Sequence, residues 1–106
     1  MAKENVGQIL MATGLRELKI PFSEQVKVCE GRRWTWDFWI PLFRIAIEVD
    51  GMYQGSHSAW GKDYEKQNYG IMVQGIRVIR FTAREVERGK AKEFLKSWLS
   101  EHLSKS

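Results

Sequence analysis

Residues 35–51 read TWDFWIPLFRIAIEVDG and form two apolar runs that Pro41 separates. Both runs are rich in the aromatic and β-branched residues typical of strands, and Pro41 ends the first because it has no N–H for a ladder. The first run contains Asp37, and the second ends with Glu48 and Asp50. Burying a carboxylate is unfavourable unless a cation or hydrogen bonds compensate its charge. The stretch therefore predicts two neighbouring strands whose acids have a specific use.

Side-chain alternation along the two runs predicts which acids lie together. Successive side chains of a strand point to opposite faces of the sheet. In the second run Glu48 and Asp50 therefore share a face. In the first run Asp37 lies on the face opposite Trp36 and Phe38. If the two strands are adjacent in the sheet, Asp37 and Glu48 reach the same spot.

Periodicity along the rest of the chain predicts helices around a small sheet. Gly75 is placed to end one helix, and Thr82 is placed to cap the next. The predicted elements are helix 3–18, strands 22–29, 34–40 and 44–49, helix 62–74, strand 77–81, a short helix 82–88 and, after Gly89, a final helix. The order α-β-β-β-α-β-α indicates an α/β fold with a mixed four-stranded sheet flanked by helices.

Apolar residues among polar ones indicate the last two long helices. In helix 62–74 they are Tyr64, Ile71 and Met72. The final helix has an apolar stripe that consists of Phe94, Leu95, Trp98, Leu99 and Leu103. We expect its charged residues, among them Lys92 and Glu93, to lie outside this stripe.

Composition limits the class of protein. A chain of 106 residues fits one domain, so we expect residues 1–106 to form a single catalytic unit. The net charge of +4 favours a polyanionic partner, although such a charge is also common among proteins that bind no nucleic acid. The single cysteine, Cys29, allows no internal disulfide. With no leader-like or membrane-spanning apolar segment, the sequence predicts a cytoplasmic protein that does not contact a membrane.

The acids and one lysine together allow metal-assisted hydrolysis of a phosphodiester. Such a reaction needs a metal to activate water and to neutralise developing charge. Mg²⁺ takes oxygen ligands and usually one or two protein carboxylates, which Asp37 and Glu48 supply. The carbonyl of Val49 is a further candidate ligand, and Asp50 could bind the metal or orient a ligand. Lys66, on the helix after the second run, is a candidate for the charge beside the phosphate.

Each of these residues also has an ordinary structural interpretation. An Asp in this position commonly pairs with an arginine at the sheet rim, here Arg33 or Arg44. The acids before Gly51 fit a strand-end turn. Lys66 is by default a solvated helix residue. His57, in a Gly- and Ser-containing loop, could contact phosphate, metal or water.

The order of the motifs resembles the PD-(D/E)XK nuclease superfamily, which has the restriction-endonuclease-like fold. More narrowly, the chain resembles the small nucleases related to very-short-patch-repair endonucleases and the phage-type proteins that share their core, including Holliday junction resolvase-like members. The segments that carry the resemblance are, in chain order, RRWTWDF at 32–38, IEVDG at 47–51, GSH at 55–57, DYEKQN at 63–68 and GIRVIRFT at 75–82.

The resemblance implies roles for particular residues. Asp37 and Glu48 match the acidic pair that binds Mg²⁺ or Mn²⁺ in the superfamily. A supporting carboxylate from the first helix is expected, for which Glu4 is the best match and Gln8 the alternative. The chain departs from the motif at its lysine, because position 50 is an aspartate. Lys66 resembles a migrated replacement for that lysine.

The sequence therefore predicts a Mg²⁺- or Mn²⁺-dependent endodeoxyribonuclease of phage or bacterial origin. A small single domain leaves little room for a base-reading module, so branched or Holliday junction DNA is the expected substrate and a homodimer the expected assembly. The alternatives are a mismatch-nicking repair endonuclease, a DNA-binding subunit that does not cut, and a basic domain with no nucleic-acid role. The predicted DNA contacts are Arg32, Arg33, His57, Lys62 and Arg84.

Overall fold

The computed structural model describes residues 6–51 and 64–104 of the chain. Helix α2 is described over residues 64–74. It is α-helical to residue 69 and π-helical over Gly70–Gln74. The other elements are α1 Val6–Glu17, β1 Ser23–Lys27, β2 Thr35–Ile40, β3 Ile45–Asp50, β4 Arg77–Thr82, α3 Ala83–Glu87 and α4 Lys90–Ser104. Within these described ranges, no helix has both the length and the apolar character needed to span a bilayer.

The four strands form one mixed sheet in the order β1-β2-β3-β4. Strands β1, β2 and β3 pair antiparallel, as expected for strands joined by short turns. Strands β3 and β4 pair parallel, with α2 in the connection between them. The predicted α/β class and the mixed four-stranded sheet are confirmed, and the chain ends with two helices, α3 and α4.

Apolar side chains cover both faces of the sheet. One cluster joins α1, α3 and α4 to the sheet and includes the buried residues Leu15, Phe38, Ile47 and Leu95. The other cluster lies under α2 and contains Trp36, Ala46 and Ile76, with Tyr69 packed against it. The sheet is thus the middle layer between α2 on one side and three helices on the other.

The apolar residues that indicated α2 are exposed, and the predicted apolar stripe of α4 is only partly buried. Ile71 and Met72 are exposed, and α2 turns Lys66 and Gly70 inward instead. In α4, Leu95 is buried, whereas Phe94 and Leu103 at the two ends of the predicted stripe remain exposed. Apolar spacing located both helices correctly but did not fix their rotation.

Two helix ends follow the sequence signals closely. Gly75 has φ 66 at the end of α2, a left-handed conformation that favours glycine. Thr82 caps α3: its side chain accepts from the N–H of Glu85, and the Glu85 carboxylate accepts from the N–H of Thr82. This capping box makes the sharp transition from β4 into α3.

Two glycines allow helices to approach the sheet closely. A Cβ on Gly7 of α1 would lie 3.0 Å from Cγ1 of Val49 and 3.0 Å from Cβ of Ala83. A Cβ on Gly70 of α2 would lie 2.8 Å from Cζ2 of Trp36. Both helices therefore contact the sheet through their backbones, near the strand ends that carry the predicted acids.

Replacing Gly7 with Ala should destabilise the fold, because the added methyl group meets buried atoms that have little room to move. We expect the free energy of unfolding to fall by about 1–3 kcal/mol. Gly14 in the same helix is a matched control, since its Cβ would make ordinary contacts of 3.8–3.9 Å with Lys92. Gly14→Ala should raise the free energy of unfolding by about 0.5–1 kcal/mol. Urea unfolding measures both variants, and equal effects would contradict the close approach at Gly7.

Candidate active site

Asp37 and Glu48 replace part of the ladder between β2 and β3. Regular pairing of the two strands extends from Ile40↔Ile45 to Phe38↔Ile47. At the next position the N–H of Asp37 donates to Oε2 of Glu48 at 2.7 Å. The N–H of Val49 donates to Oδ2 of Asp37 at 2.8 Å. Each carboxylate thus accepts from the backbone of the facing strand, which places the two acids side by side.

Strand β2 changes its alternation at Asp37, so the predicted face of Trp36 is wrong. Trp36 packs with Ala46 under α2, whereas Phe38 belongs to the cluster on the opposite face. The change of face occurs where β2 is also unpaired on its other side, because the ladder between β1 and β2 has no pair at Asp37. The omitted position on β1 is Gln25, which has a positive φ of 52. Interrupted pairing on both sides allows the chain to turn Trp36 toward α2.

Lys66 lies inside the site and is not the solvated helix residue that its position first suggests. Only 7% of the residue is exposed. Its ammonium forms a salt bridge with Oε1 of Glu48 and donates to the carbonyl of Thr35 at 2.9 Å. The Nζ atom also lies 5.2 Å from the centre of the Trp36 ring. The structure therefore brings Asp37, Glu48 and Lys66 together.

Burial controls the charge of both acids. It raises the pKa of the Asp37 carboxyl, because desolvation disfavours the charged form more than the N–H of Val49 and the Lys66 ammonium favour it. Burial also raises the pKa of Glu48, and the negative charge of Asp37 raises it further against the opposing effect of Lys66. The folded protein therefore holds this pair of charges at an energetic cost.

Two glutamines support Asp37 from different elements. Gln8 of α1 and Gln25 of β1 both favour the charged form of its carboxylate and oppose the rise in its pKa. Gln8 was the alternative to Glu4 as the supporting residue from the first helix, and Glu4 lies outside the described residues. Sequence reasoning missed Gln25; the available signal was its place across the predicted β1–β2 hairpin from Asp37.

Asp50 lies on the same strand as Glu48 but binds an arginine. Its carboxylate accepts from Nη2 of Arg80 at 2.6 Å and from Nε of Arg80 at 3.2 Å. Nη1 of Arg80 also donates to Oε1 of Gln67 on α2 at 3.4 Å. Arg80 was not among the predicted site residues, although it lies beside Glu48 in the β3–β4 register. The Asp50–Arg80 pair thus connects β3 and β4 to the helix that carries Lys66.

The remaining predicted residues lie apart from the acid pair or outside the described residues. The guanidinium of Arg32 stacks over Trp34, 4.4 Å from the ring centre, and Arg33 and Arg84 are exposed. Arg44 donates to the carbonyl of Gln74 at 2.7 Å. The predicted residues outside the described ranges are Glu4, His57 and Lys62.

The donor set fits a hard divalent cation. Asp37 and Glu48 supply carboxylate oxygens, and the strand backbones hold the two acids on neighbouring strands. Within residues 6–51 and 64–104 no group of three or more His, Cys, Asp or Glu side chains is placed to hold a metal. Two protein carboxylates with water and substrate oxygens are the usual coordination of Mg²⁺. The residues present match that pattern.

The pKa directions predict that Asp37 and Glu48 destabilise the metal-free protein increasingly as pH rises. Both acids bind protons more tightly when folded, so their contribution is complete below the ordinary values of 3.8 and 4.5 and is lost as pH passes the raised values. Asp37→Asn resembles the protonated acid at every pH. The melting temperature of this variant minus that of wild type should therefore increase from pH 4 toward pH 8 in chelator.

A surface substitution provides the control for this measurement. The side chain of Glu30 is 96% exposed, and Glu30→Gln changes the net charge by the same amount as Asp37→Asn. We expect it to alter the melting temperature little at any pH in the range. A difference between Asp37→Asn and wild type that stays constant or shrinks with rising pH would contradict the cost assigned to the buried charge.

The fold is similar to a solved structure, the Homing Endonuclease I-Bth0305I catalytic domain. The two share 24% sequence identity with a TM-score of 0.68, and the match covers 91% of this chain and 95% of that chain. No protein-family model and no curated protein sequence matches the chain. At this level of identity the likeness concerns the fold, so the chain has the fold of that catalytic domain.

Proposed function

We propose that the protein is a metal-dependent endonuclease that hydrolyses phosphodiester bonds in DNA, with a PD-(D/E)XK type of site. The observation that carries the proposal is the meeting of Asp37, Glu48 and Lys66 at the interrupted ladder between β2 and β3. The likeness to a homing-endonuclease catalytic domain supports DNA as the substrate and internal cleavage as the reaction.

Asp37 and Glu48 would hold the metal, and their oxygen donors favour Mg²⁺ or Mn²⁺. A cation bound there would supply Lewis acidity, lowering the pKa of a water and neutralising charge on the phosphate. The backbone fixes both carboxylates in advance, because each accepts a strand N–H. The carbonyl of Val49 is proposed as a further ligand. Asp50 is proposed to act through Arg80, which it orients.

Lys66 is proposed to take the part of the motif lysine, which position 50 does not supply. Its salt bridge fixes the orientation of the Glu48 carboxylate. Because the ammonium is buried, its positive charge is screened little by water and acts strongly on a phosphate oxygen or on the attacking water. The bond from Nζ to the Thr35 carbonyl limits where that charge can move.

Branched DNA is the proposed substrate and a homodimer the proposed assembly. Helices α1, α3 and α4 pack on one face of the sheet and α2 packs on the other, so no described helix projects as a base-reading element. Arg32, Arg33 and Arg84 are proposed to contact phosphates, together with His57 and Lys62. Such contacts favour recognition of DNA shape over sequence.

Cleavage of supercoiled plasmid tests the central proposal. Wild type should cut in Mg²⁺ or Mn²⁺ and not in chelator. Asp37→Asn and Glu48→Gln should lower the rate by more than about 100-fold, because each removes a metal ligand and not merely a supporting residue. Glu30→Gln should cut like wild type. Pure wild type that binds plasmid but never cuts would favour a DNA-binding subunit over an enzyme.

The same assay separates catalysis from binding for Lys66. Lys66→Met removes the ammonium and keeps most of the apolar stem. We expect the cleavage rate to fall about 100- to 1,000-fold, as for loss of a charge that stabilises the transition state. DNA affinity, measured in chelator, should change by less than about twofold because Lys66 is one charge among many. Unchanged cleavage would remove Lys66 from the catalytic site.

Substrate shape is tested with a four-way junction, a mismatched duplex and a linear duplex of the same arm sequence. We expect the junction to be cut fastest and binding to weaken steeply as salt rises, because phosphate contacts release counterions. Light scattering should give twice the chain mass of 12.4 kDa. Preferential nicking of the mismatched duplex would favour the repair alternative, and a monomer mass would contradict the dimer.

A further inference from the structure

Gln25 has an unusual backbone conformation for a strand residue. Its φ is 52, in the left-handed region that residues with a Cβ adopt rarely and at a cost. Among the described residues, the other non-glycine positions with positive φ are Lys19 and Arg44, and both lie in turns. Gln25 is instead inside β1, and its own side chain is exposed, so burial does not explain the conformation.

The conformation occurs at the position that faces Asp37. The β1–β2 ladder pairs Glu24 with Phe38 and Val26 with Trp36, and it omits the pair between them. That omitted pair is Gln25 and Asp37. The departure from strand geometry is therefore confined to the residue opposite the candidate metal ligand.

The side chain of Gln25 connects the two halves of the site. Its Oε1 accepts from the hydroxyl of Thr35 at 3.2 Å. Its amide also lies beside the Asp37 carboxylate, where it favours the charged form and opposes the rise in the pKa of that acid. The carbonyl of Thr35 in turn accepts from Lys66. One side chain thus connects the surroundings of Asp37 with the residue that accepts from Lys66.

We propose that Gln25 is a positioning residue for divalent cation binding at Asp37. The left-handed backbone turns the amide toward the carboxylate, and the amide holds the carboxylate in the orientation that binds the cation. The strain at this one residue is retained because it places the amide beside the acid. The inference rests on the proposed nuclease function, and it assigns to β1 a part in the site alongside the acids of β2 and β3.

Glycine and methionine substitutions separate the amide from the backbone. Gln25→Gly removes the amide and relieves the strain, whereas Gln25→Met keeps the approximate size and the strain but has no amide. Lys19→Gly is the matched control, since it relieves the same conformation in a turn away from the site. Each variant is measured for thermal unfolding, Mn²⁺ affinity by calorimetry, and plasmid cleavage.

We expect Gln25→Gly to melt no lower than wild type, as Lys19→Gly should, because glycine favours positive φ. Both Gln25 variants should bind Mn²⁺ about 10- to 100-fold more weakly, the usual loss for a group that orients a metal ligand. They should also lower kcat by more than they raise KM. Lys19→Gly should leave Mn²⁺ affinity and kcat unchanged.

A metal-free readout keeps the two proposals separate. The amide of Val49 donates to Asp37, so its NMR signal reports the position of that carboxylate. The signal should shift in both Gln25 variants and stay in place in Lys19→Gly. Variants with unchanged Mn²⁺ affinity and an unchanged Val49 signal would overturn the role of Gln25, as would a wild type that binds no Mn²⁺. A wild type that binds Mn²⁺ but cuts no DNA would overturn only the nuclease function.

Discussion

The reciprocal hydrogen bonding of Asp37 and Glu48 is the constraint on which the rest of the structure depends. Two adjacent strands give up a ladder position, and each carboxylate accepts the backbone N–H that the ladder would have used. The exchange keeps the buried N–H groups satisfied while it holds two acids side by side. It also explains why β2 changes its alternation at Asp37, so that Trp36 faces α2 and forms part of the wall beside Lys66.

Close helix packing completes the surroundings of the acid pair from both faces of the sheet. Gly7 lets α1 approach Val49, and the next residue along α1 is Gln8, whose side chain favours the charged form of Asp37 and opposes the rise in its pKa. Gly70 lets α2 approach Trp36, and one turn earlier on α2 lies Lys66. Glycine has a low helix propensity, so each of these two glycines weakens its own helix. Each also allows the close approach that brings a polar side chain of that helix to the acid pair.

The fold and the acid pair were predictable because they depend on periodicity and motif order. Alternating apolar runs located β2 and β3 and put Asp37 beside Glu48, and the DYEKQN segment indicated Lys66. The features that were not predicted depend on tertiary contacts, which a hydrophobic period does not describe. Trp36 changes face because the ladder is interrupted at Asp37, and the close approach at Gly70 turns that face of α2 toward the sheet. The positive φ of Gln25 could not be predicted because the pattern assumes a regular strand. Arg80 was missed because its partner Asp50 was considered only as a metal ligand or as a residue that orients one.

Charge links the stability of the fold to the proposed metal site. Burial raises the pKa of both acids, so the metal-free protein holds them at a cost that a bound cation would offset. The most direct test is anomalous diffraction from crystals soaked in Mn²⁺, which locates the ion independently of any activity. The account predicts a manganese peak within about 2.5 Å of carboxylate oxygens from both Asp37 and Glu48, a distance typical of hard cations. No peak there at saturating Mn²⁺, or a peak only at other surface carboxylates, would contradict it.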